Sequence, residues 1–222
     1  MKTILCYGDS ITWGYIPGDA GRYPLARRWP SVLQAEIGTG FQVVAEGLRG
    51  RYTVHDEPFR PGRNGAALLE PILETHSPVD LLVIFLGTND VLHHGDMTAS
   101  DAARGVEVLA RIALGSETGP AGQAPRVMLV SPPRMGALSS ELAELCHGDP
   151  ARSAGFSRHY RAVAEARKLF FLDAADIVEP SPVDGVHLEE AGHAALGKAV
   201  AGEVLKIFRS QTTASGTGTP AA

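Results

Sequence analysis

Three side chains of this sequence have the types that could share covalent chemistry: a serine, a histidine and an aspartate. Ser10 stands in Gly8-Asp9-Ser10-Ile11-Thr12-Trp13-Gly14, and Asp184 precedes His187 by three residues in Asp184-Gly185-Val186-His187. A serine hydroxyl is a weak nucleophile until a neighbouring imidazole takes its proton. The imidazole works in only one tautomer, and a carboxylate on its other nitrogen holds it there. A turn over residues 184–187 could set the Asp184 carboxylate against Nδ1 while Nε2 faces Ser10. Acyl transfer also needs donors aimed at the oxygen that becomes negative. The N–H groups of Ser10 and Gly50 and the side-chain amide of Asn89 are of the right type, and a glycine at position 50 lets backbone approach a ligand.

Taken singly, Gly-Asp-Ser, Asp-x-x-His and Gly87-Thr88-Asn89-Asp90 are also ordinary turn sequences, in which Asn and Asp bond local backbone. Their weight comes from the elements that must position them. Residues 3–7, 41–45, 81–86, 127–130 and 169–172 read as strands. The third is apolar throughout, as expected of a central parallel strand covered on both faces. Apolar residues recur at helical spacing over 29–37, 66–75 and 156–167, and along a stripe from Leu188 to Phe208. Pro71 interrupts the second of these. Thr98-Ala99-Ser100-Asp101 has the outline of a capping box opening a helix to about residue 114.

Strands alternating with helices predict an α/β fold with a five-stranded, mainly parallel sheet, right-handed crossovers and helices on both faces, flavodoxin-like in form. In such a sheet ligands bind beyond the carboxyl ends of the strands. Ser10 follows the first strand, residues 46–51 the second, residues 87–90 the third and Ser131-Pro132-Pro133 the fourth. Residues 184–187 follow the fifth, beyond a short loop. One end of the sheet therefore collects every chemically unusual segment.

Composition narrows the alternatives. Of 222 residues, 44% are hydrophobic and 20% charged, enough to build a core and exclude general disorder. A formal net charge of −5 offers no basic field to nucleic acid, so no nucleic-acid partner is expected. No apolar run reaches the roughly 18 residues of a membrane helix. The 25 glycines and 15 prolines point to long shaped loops, and residues 15–28 and 137–155 are the expected pocket rims or subunit contacts. Cys6 and Cys146 are too few for a disulfide scaffold, lack metal-ligand spacing, and Cys6 reads as a buried thiol.

The apolar stretch 3–7 is shorter than a signal-peptide core, and a cytoplasmic location is expected. Residues 1–209 read as one domain and the polar, Gly/Thr-rich residues 210–222 as a disordered tail. His93-His94 reads as a solvated pair rather than metal ligands, and Arg22, Arg27 and Arg28 as a solvated face or interface. No metal or cofactor is expected.

In this order the motifs resemble the SGNH, or GDSL-type, hydrolases, from about residue 2 to 208. Gly8-Asp9-Ser10 resembles the family's nucleophile block, Gly47-Leu48-Arg49-Gly50 its second block, Gly87-Thr88-Asn89-Asp90 its third and Asp184-Gly185-Val186-His187 its last. Residues 5–14, Glu46-Gly47-Leu48 and Val130-Ser131-Pro132-Pro133 look more narrowly like the bacterial arylesterase/acyltransferase branch. Arg49-Gly50-Arg51-Tyr52 departs from the Ser-Ala-Arg-Thr-like run usual there, which bears on acceptor preference and leaves the Gly50 N–H available.

The resemblance implies a three-layer sandwich with Ser10 as nucleophile, His187 as base and Asp184 as its orienter. Ser10, Gly50 and Asn89 would form the oxyanion hole, and Asp9, Trp13 and Pro132 are candidates for substrate contact. It implies hydrolysis of small short-acyl, aryl or alkyl esters through an acyl-serine, transfer to alcohols or peroxide, and a homo-oligomer. A carbohydrate O-deacetylase or a lysophospholipase would use the same three residues. A non-enzymatic nucleotide- or flavin-binding module is the reading from another class, against which Asp9 stands where a phosphate would lie.

Overall fold

The computed structural model describes residues 1–19, 21–147 and 149–209, so the expected tail at 210–222 lies outside the described residues. Five strands form one sheet: β1 (Lys2–Gly8), β2 (Phe41–Gly47), β3 (Leu81–Phe85), β4 (Arg126–Ser131) and β5 (Phe170–Asp173). Their order is β2-β1-β3-β4-β5 and every pairing is parallel. The expected "mainly parallel" sheet is wholly so.

Alternation along the apolar strands explains why both faces are buried. In β1, Ile4 and Cys6 join one core while Leu5 and Tyr7 join the other. Register keeps like with like: Ile4 pairs Leu81 and Cys6 pairs Val83 on the first face, Leu5 pairs Leu82 and Tyr7 pairs Ile84 on the second.

The helices are α1 (Ser10–Trp13), α2 (Trp29–Ile37), α3 (Gly65–Thr75), α4 (Thr88–His93), α5 (Ala99–Leu114), α6 (Ser140–Leu145), α7 (Phe156–Arg167) and α8 (Glu190–Arg209). Helices α2 and α8 cover the first core through Trp29, Leu33, Leu196, Val200 and Val204. Helices α3, α5 and α7 cover the second through Leu69, Leu73, Val106, Leu109 and Tyr160. Thr98 and Asp101 form both halves of the capping box that starts α5. Pro71 does not break α3, since it lies on the exposed face and costs one backbone hydrogen bond.

Three short helices were not read from the sequence, the first being α1 directly after β1. The segment after β3 is α4 rather than a bare turn, and the irregular stretch 137–155 contains α6, capped by Ser139, whose Oγ accepts the Leu142 N–H. The strand order reverses between β1 and β3. Connections leave that point toward opposite sides and open a crevice at the strand ends. Ser10 follows β1 and Asn89 follows β3, so topology alone puts them at the crevice.

Candidate active site

The nucleophile turn is built from close backbone contact. Asp9 caps α1, its Oδ1 accepting the Ile11 N–H at 2.9 Å. As the first residue of a helix, Ser10 has an N–H with no intrahelical acceptor. Gly8 and Gly47 make room for α1. A Cβ on Gly8 would meet Thr12 and lie 2.9 Å from the Phe85 carbonyl oxygen, and one on Gly47 would strike the backbone of Thr12 and Trp13.

The loop after β2 is locked by a buried arginine. Arg51 donates from Nη1 to the Gly8 carbonyl at 3.0 Å and to the Glu46 carbonyl, and its guanidinium lies 4.0 Å from the Tyr7 ring centre. Its own carbonyl accepts from Asn89 Nδ2 at 3.1 Å, while Asp9 Oδ2 stands 3.4 Å from the same nitrogen. Asp90 completes the link, accepting Thr53 N–H on both oxygens and Thr53 Oγ1 at 2.5 Å. Burial pushes the Asp90 carboxyl up to about 7 and that of Asp9 to about 6, although the Thr53 and Ile11 donors pull the other way. Gly50 takes a left-handed φ of +73°, which turns this loop into the crevice.

Asp184 divides its two oxygens. Oδ1 accepts the N–H groups of Val186 and His187, both at 2.9 Å, and Oδ2 accepts His187 Nδ1 at 2.7 Å. Burial alone would raise its carboxyl; the hydrogen bond and charge of His187, with the two backbone donors, outweigh that and hold it below the usual carboxylate range. His187 Nε2 lies 3.0 Å from Ser10 Oγ. All three side chains are buried beneath the crevice floor, with exposures of 8% for Ser10, 7% for His187 and 3% for Asp184.

A cavity of about 300 Å³ opens over this relay, lined by Ser10, Gly50, Asn89 and His187. Leu92, Leu142, Leu145, Cys146 and Val186 make an apolar wall, and Arg49, Arg60 and His93 a polar one. Burial pushes the Cys146 thiol up to about 11, so it contributes as a neutral wall. A larger groove of about 480 Å³, lined by residues 133–137 and 178–182 among others, includes none of Ser10, Asp184 or His187. Among the described residues no cluster of three or more His, Cys, Asp or Glu could hold a metal ion.

The structure thus brings together Ser10, Gly50, Asn89, Asp184 and His187. The three other candidates stand apart from the cavity lining. Asp9 lies behind Ser10, committed to the cap. Trp13 is wedged between the Arg22 and Arg49 guanidiniums, 4.7 and 4.9 Å from its ring centre. Pro132 is buried at the end of β4.

Tyr15, the first residue of the stretch 15–28 expected as a pocket rim, is a wall residue that the sequence did not single out. Gly14 ends α1 in a left-handed conformation, and the chain reverses so that Tyr15 N–H donates to the Ser10 carbonyl at 3.0 Å. Its ring then stacks on His187, with centroids 4.1 Å apart and planes 26° from parallel. His93 is half-buried in the cavity wall rather than solvated. Arg22, Arg27 and Arg28 are individually engaged, by the Trp13 carbonyl, by Glu190 and by the Tyr23 carbonyl. Leu142 and Leu145 arrive from α6, for which Ser139 followed by Leu142 and Leu145 at helical spacing was the available signal.

Comparison with known proteins gives a consistent picture. A model of the GDSL-like lipase/acylhydrolase family matches residues 6–195. Among solved structures, the native aryl esterase of M. smegmatis is 38% identical with a TM-score of 0.87, covering 93% of this chain and 99% of that one. Est24, a carbohydrate acetylesterase from Sinorhizobium meliloti, is 33% identical with a TM-score of 0.88, covering 93% and 100%. A carbohydrate acetylesterase family member from the same organism is 38% identical with a TM-score of 0.86, covering 92% and 97%. No curated protein matches the chain.

Proposed function

Since this chain belongs to the GDSL-like lipase/acylhydrolase family and is a carboxylic ester hydrolase, we propose that Ser10, His187 and Asp184 carry its reaction on small esters. The observation that carries this reading is the unbroken relay, 3.0 Å from Ser10 Oγ to Nε2 and 2.7 Å from Nδ1 to Asp184. Ser10 Oγ attacks the ester carbonyl as Nε2 takes its proton, and the imidazolium then gives that proton to the departing alkoxide. Water, activated by the same nitrogen, releases the acid from the acyl-serine. Transfer to an alcohol or to peroxide is the same second step with another nucleophile.

The oxyanion faces the N–H groups of Ser10 and Gly50 and the Asn89 amide. The Arg51 carbonyl fixes that amide through one N–H, and the long 3.4 Å approach to Asp9 leaves the other to the developing charge. Asn89→Ala is therefore expected to lower kcat by about 10²–10³-fold with the fold retained. A rate within a few-fold of the parent would remove Asn89 from this role.

The size of the cavity and its single apolar wall support short acyl groups. Across p-nitrophenyl esters from acetate to octanoate, kcat/KM is expected to fall steeply beyond four carbons. A rise with chain length would favour the lysophospholipase alternative. Likeness to two carbohydrate acetylesterases supports a second reading, release of acetate from acetylated sugars, which titration of the acid released from a peracetylated sugar reads.

Self-association, which the arylesterase-like motifs of the sequence imply, belongs to this proposal. A light-scattering mass equal to one chain would remove it. Among the described residues no helix is long and apolar enough to cross a membrane. A cytoplasmic setting completes the reading, supported by two free, buried cysteines lying in separate cores.

A further inference from the structure

Building on the ester-hydrolase reading above, we propose that the preferred esters carry an anionic group, a carboxylate or its equivalent, held at the cavity mouth by Arg49 and Arg60. Four arginines gather on this side: Arg49 and Arg60 in the cavity lining, with Arg22 and Arg63 beside them. Arg27, Arg104 and Arg167 pair with Glu190, Asp101 and Glu107, whereas others away from the cavity mouth, Arg28 and Arg51 among them, donate to carbonyl oxygens. Among the described residues, these four have no carboxylate within ion-pair distance.

They are held together by neutral partners instead. Arg60 Nη2 and Arg63 Nε both donate to the Arg49 carbonyl, at 2.9 and 2.8 Å. Arg22 donates to the Trp13 carbonyl at 2.8 Å, and Trp13 sits between the Arg22 and Arg49 guanidiniums. Burial, then the like charges of Arg60 and Arg49, hold Arg63 below its usual value.

In a chain of net charge −5, a knot of unpaired cations at a reaction centre is a field that an anionic ligand would complete. Glu57, whose charge acts on Arg60 without an ion pair, directs its oxygens to Tyr52 OH at 2.9 Å and Phe59 N–H at 3.2 Å. The remaining acids of the mouth, Asp19, Glu141 and Asp184, line a second hollow beyond Tyr15. The mouth is thus positive on the Arg49 side and negative past Tyr15, which would turn an anionic ester one way round.

The test compares pairs of esters that differ by one charge. 4-Acetoxybenzoate and 4-acetoxybenzamide place it on the alcohol side; monophenyl glutarate and its amide place it on the acyl side. Binding of the intact esters to Ser10→Ala protein is read by calorimetry, and kcat/KM in the parent. At least one anionic ester is expected to exceed its amide by about tenfold in both measures. That ratio should fall toward one in Arg49→Gln/Arg60→Gln and at about 1 M salt, where screening acts over ~3 Å.

Arg60→Gln alone, on an exposed loop, should show a partial fall even if the double variant melts early. Ratios near one in the parent, or ratios untouched by these substitutions, would overturn the inference. Product release by the Ser10→Ala samples would instead count against Ser10 as nucleophile, so the two failures are read separately.

Discussion

Ser10→Ala is expected to lower kcat on p-nitrophenyl acetate by a factor on the order of 10⁶, to a residue owed to binding and the oxyanion donors. The hydroxyl touches the relay only through His187 Nε2, and the Asp9 cap that starts α1 uses the Ile11 N–H, so the turn should survive the change. Colour release and the melting temperature, measured together, check both halves. A rate within tenfold of the parent, in a protein that melts normally, would mean that Ser10 forms no acyl intermediate.

Asp184→Asn is the second large effect, and the reason lies in how the carboxylate divides its oxygens. Oδ1 is pinned by the N–H groups of residues 186 and 187. An asparagine would keep its carbonyl there and turn its NH₂ toward His187 Nδ1. That nitrogen would then have to accept, the proton would move to Nε2, and Ser10 would face a donor instead of a base. A fall of about 10⁴-fold in kcat, with KM changed far less, is the expected signature. A loss under tenfold would mean that the carboxylate does not set the tautomer.

Much of this site could be read before any coordinates were seen, because it is made of strand ends. Apolar runs such as residues 81–86 announce buried parallel strands, and the crevice rule then gathers Ser10, Gly50, Asn89, Asp184 and His187 without side-chain detail. What escaped was decided by chain reversals and short helices. Trp13 lies one helical turn from Ser10 and looks like a wall. The left-handed Gly14 swings the chain so that Tyr15 covers the imidazole instead. Helix α6 has only six residues, too few for periodicity to stand out, yet it supplies Leu142 and Leu145. Arg51 does not show its role in the sequence, since it is defined by carbonyls of β1 and β2, whereas Asp90 accepts a backbone N–H as a loop-bracing aspartate would.

The tight seat of α1 on Gly8 and Gly47 has a consequence for altering this enzyme. Because a single methyl at either glycine would collide with main chain, the attacking oxygen cannot be shifted by redesigning its own surroundings. Freedom to redesign lies instead at the periphery, where the six-residue helix and the arginine-bearing loop hang on exposed backbone. Exchanging those two rims would change which molecules are accepted while the reacting atoms keep their spacing, so selectivity and turnover should be separable traits in a library of variants.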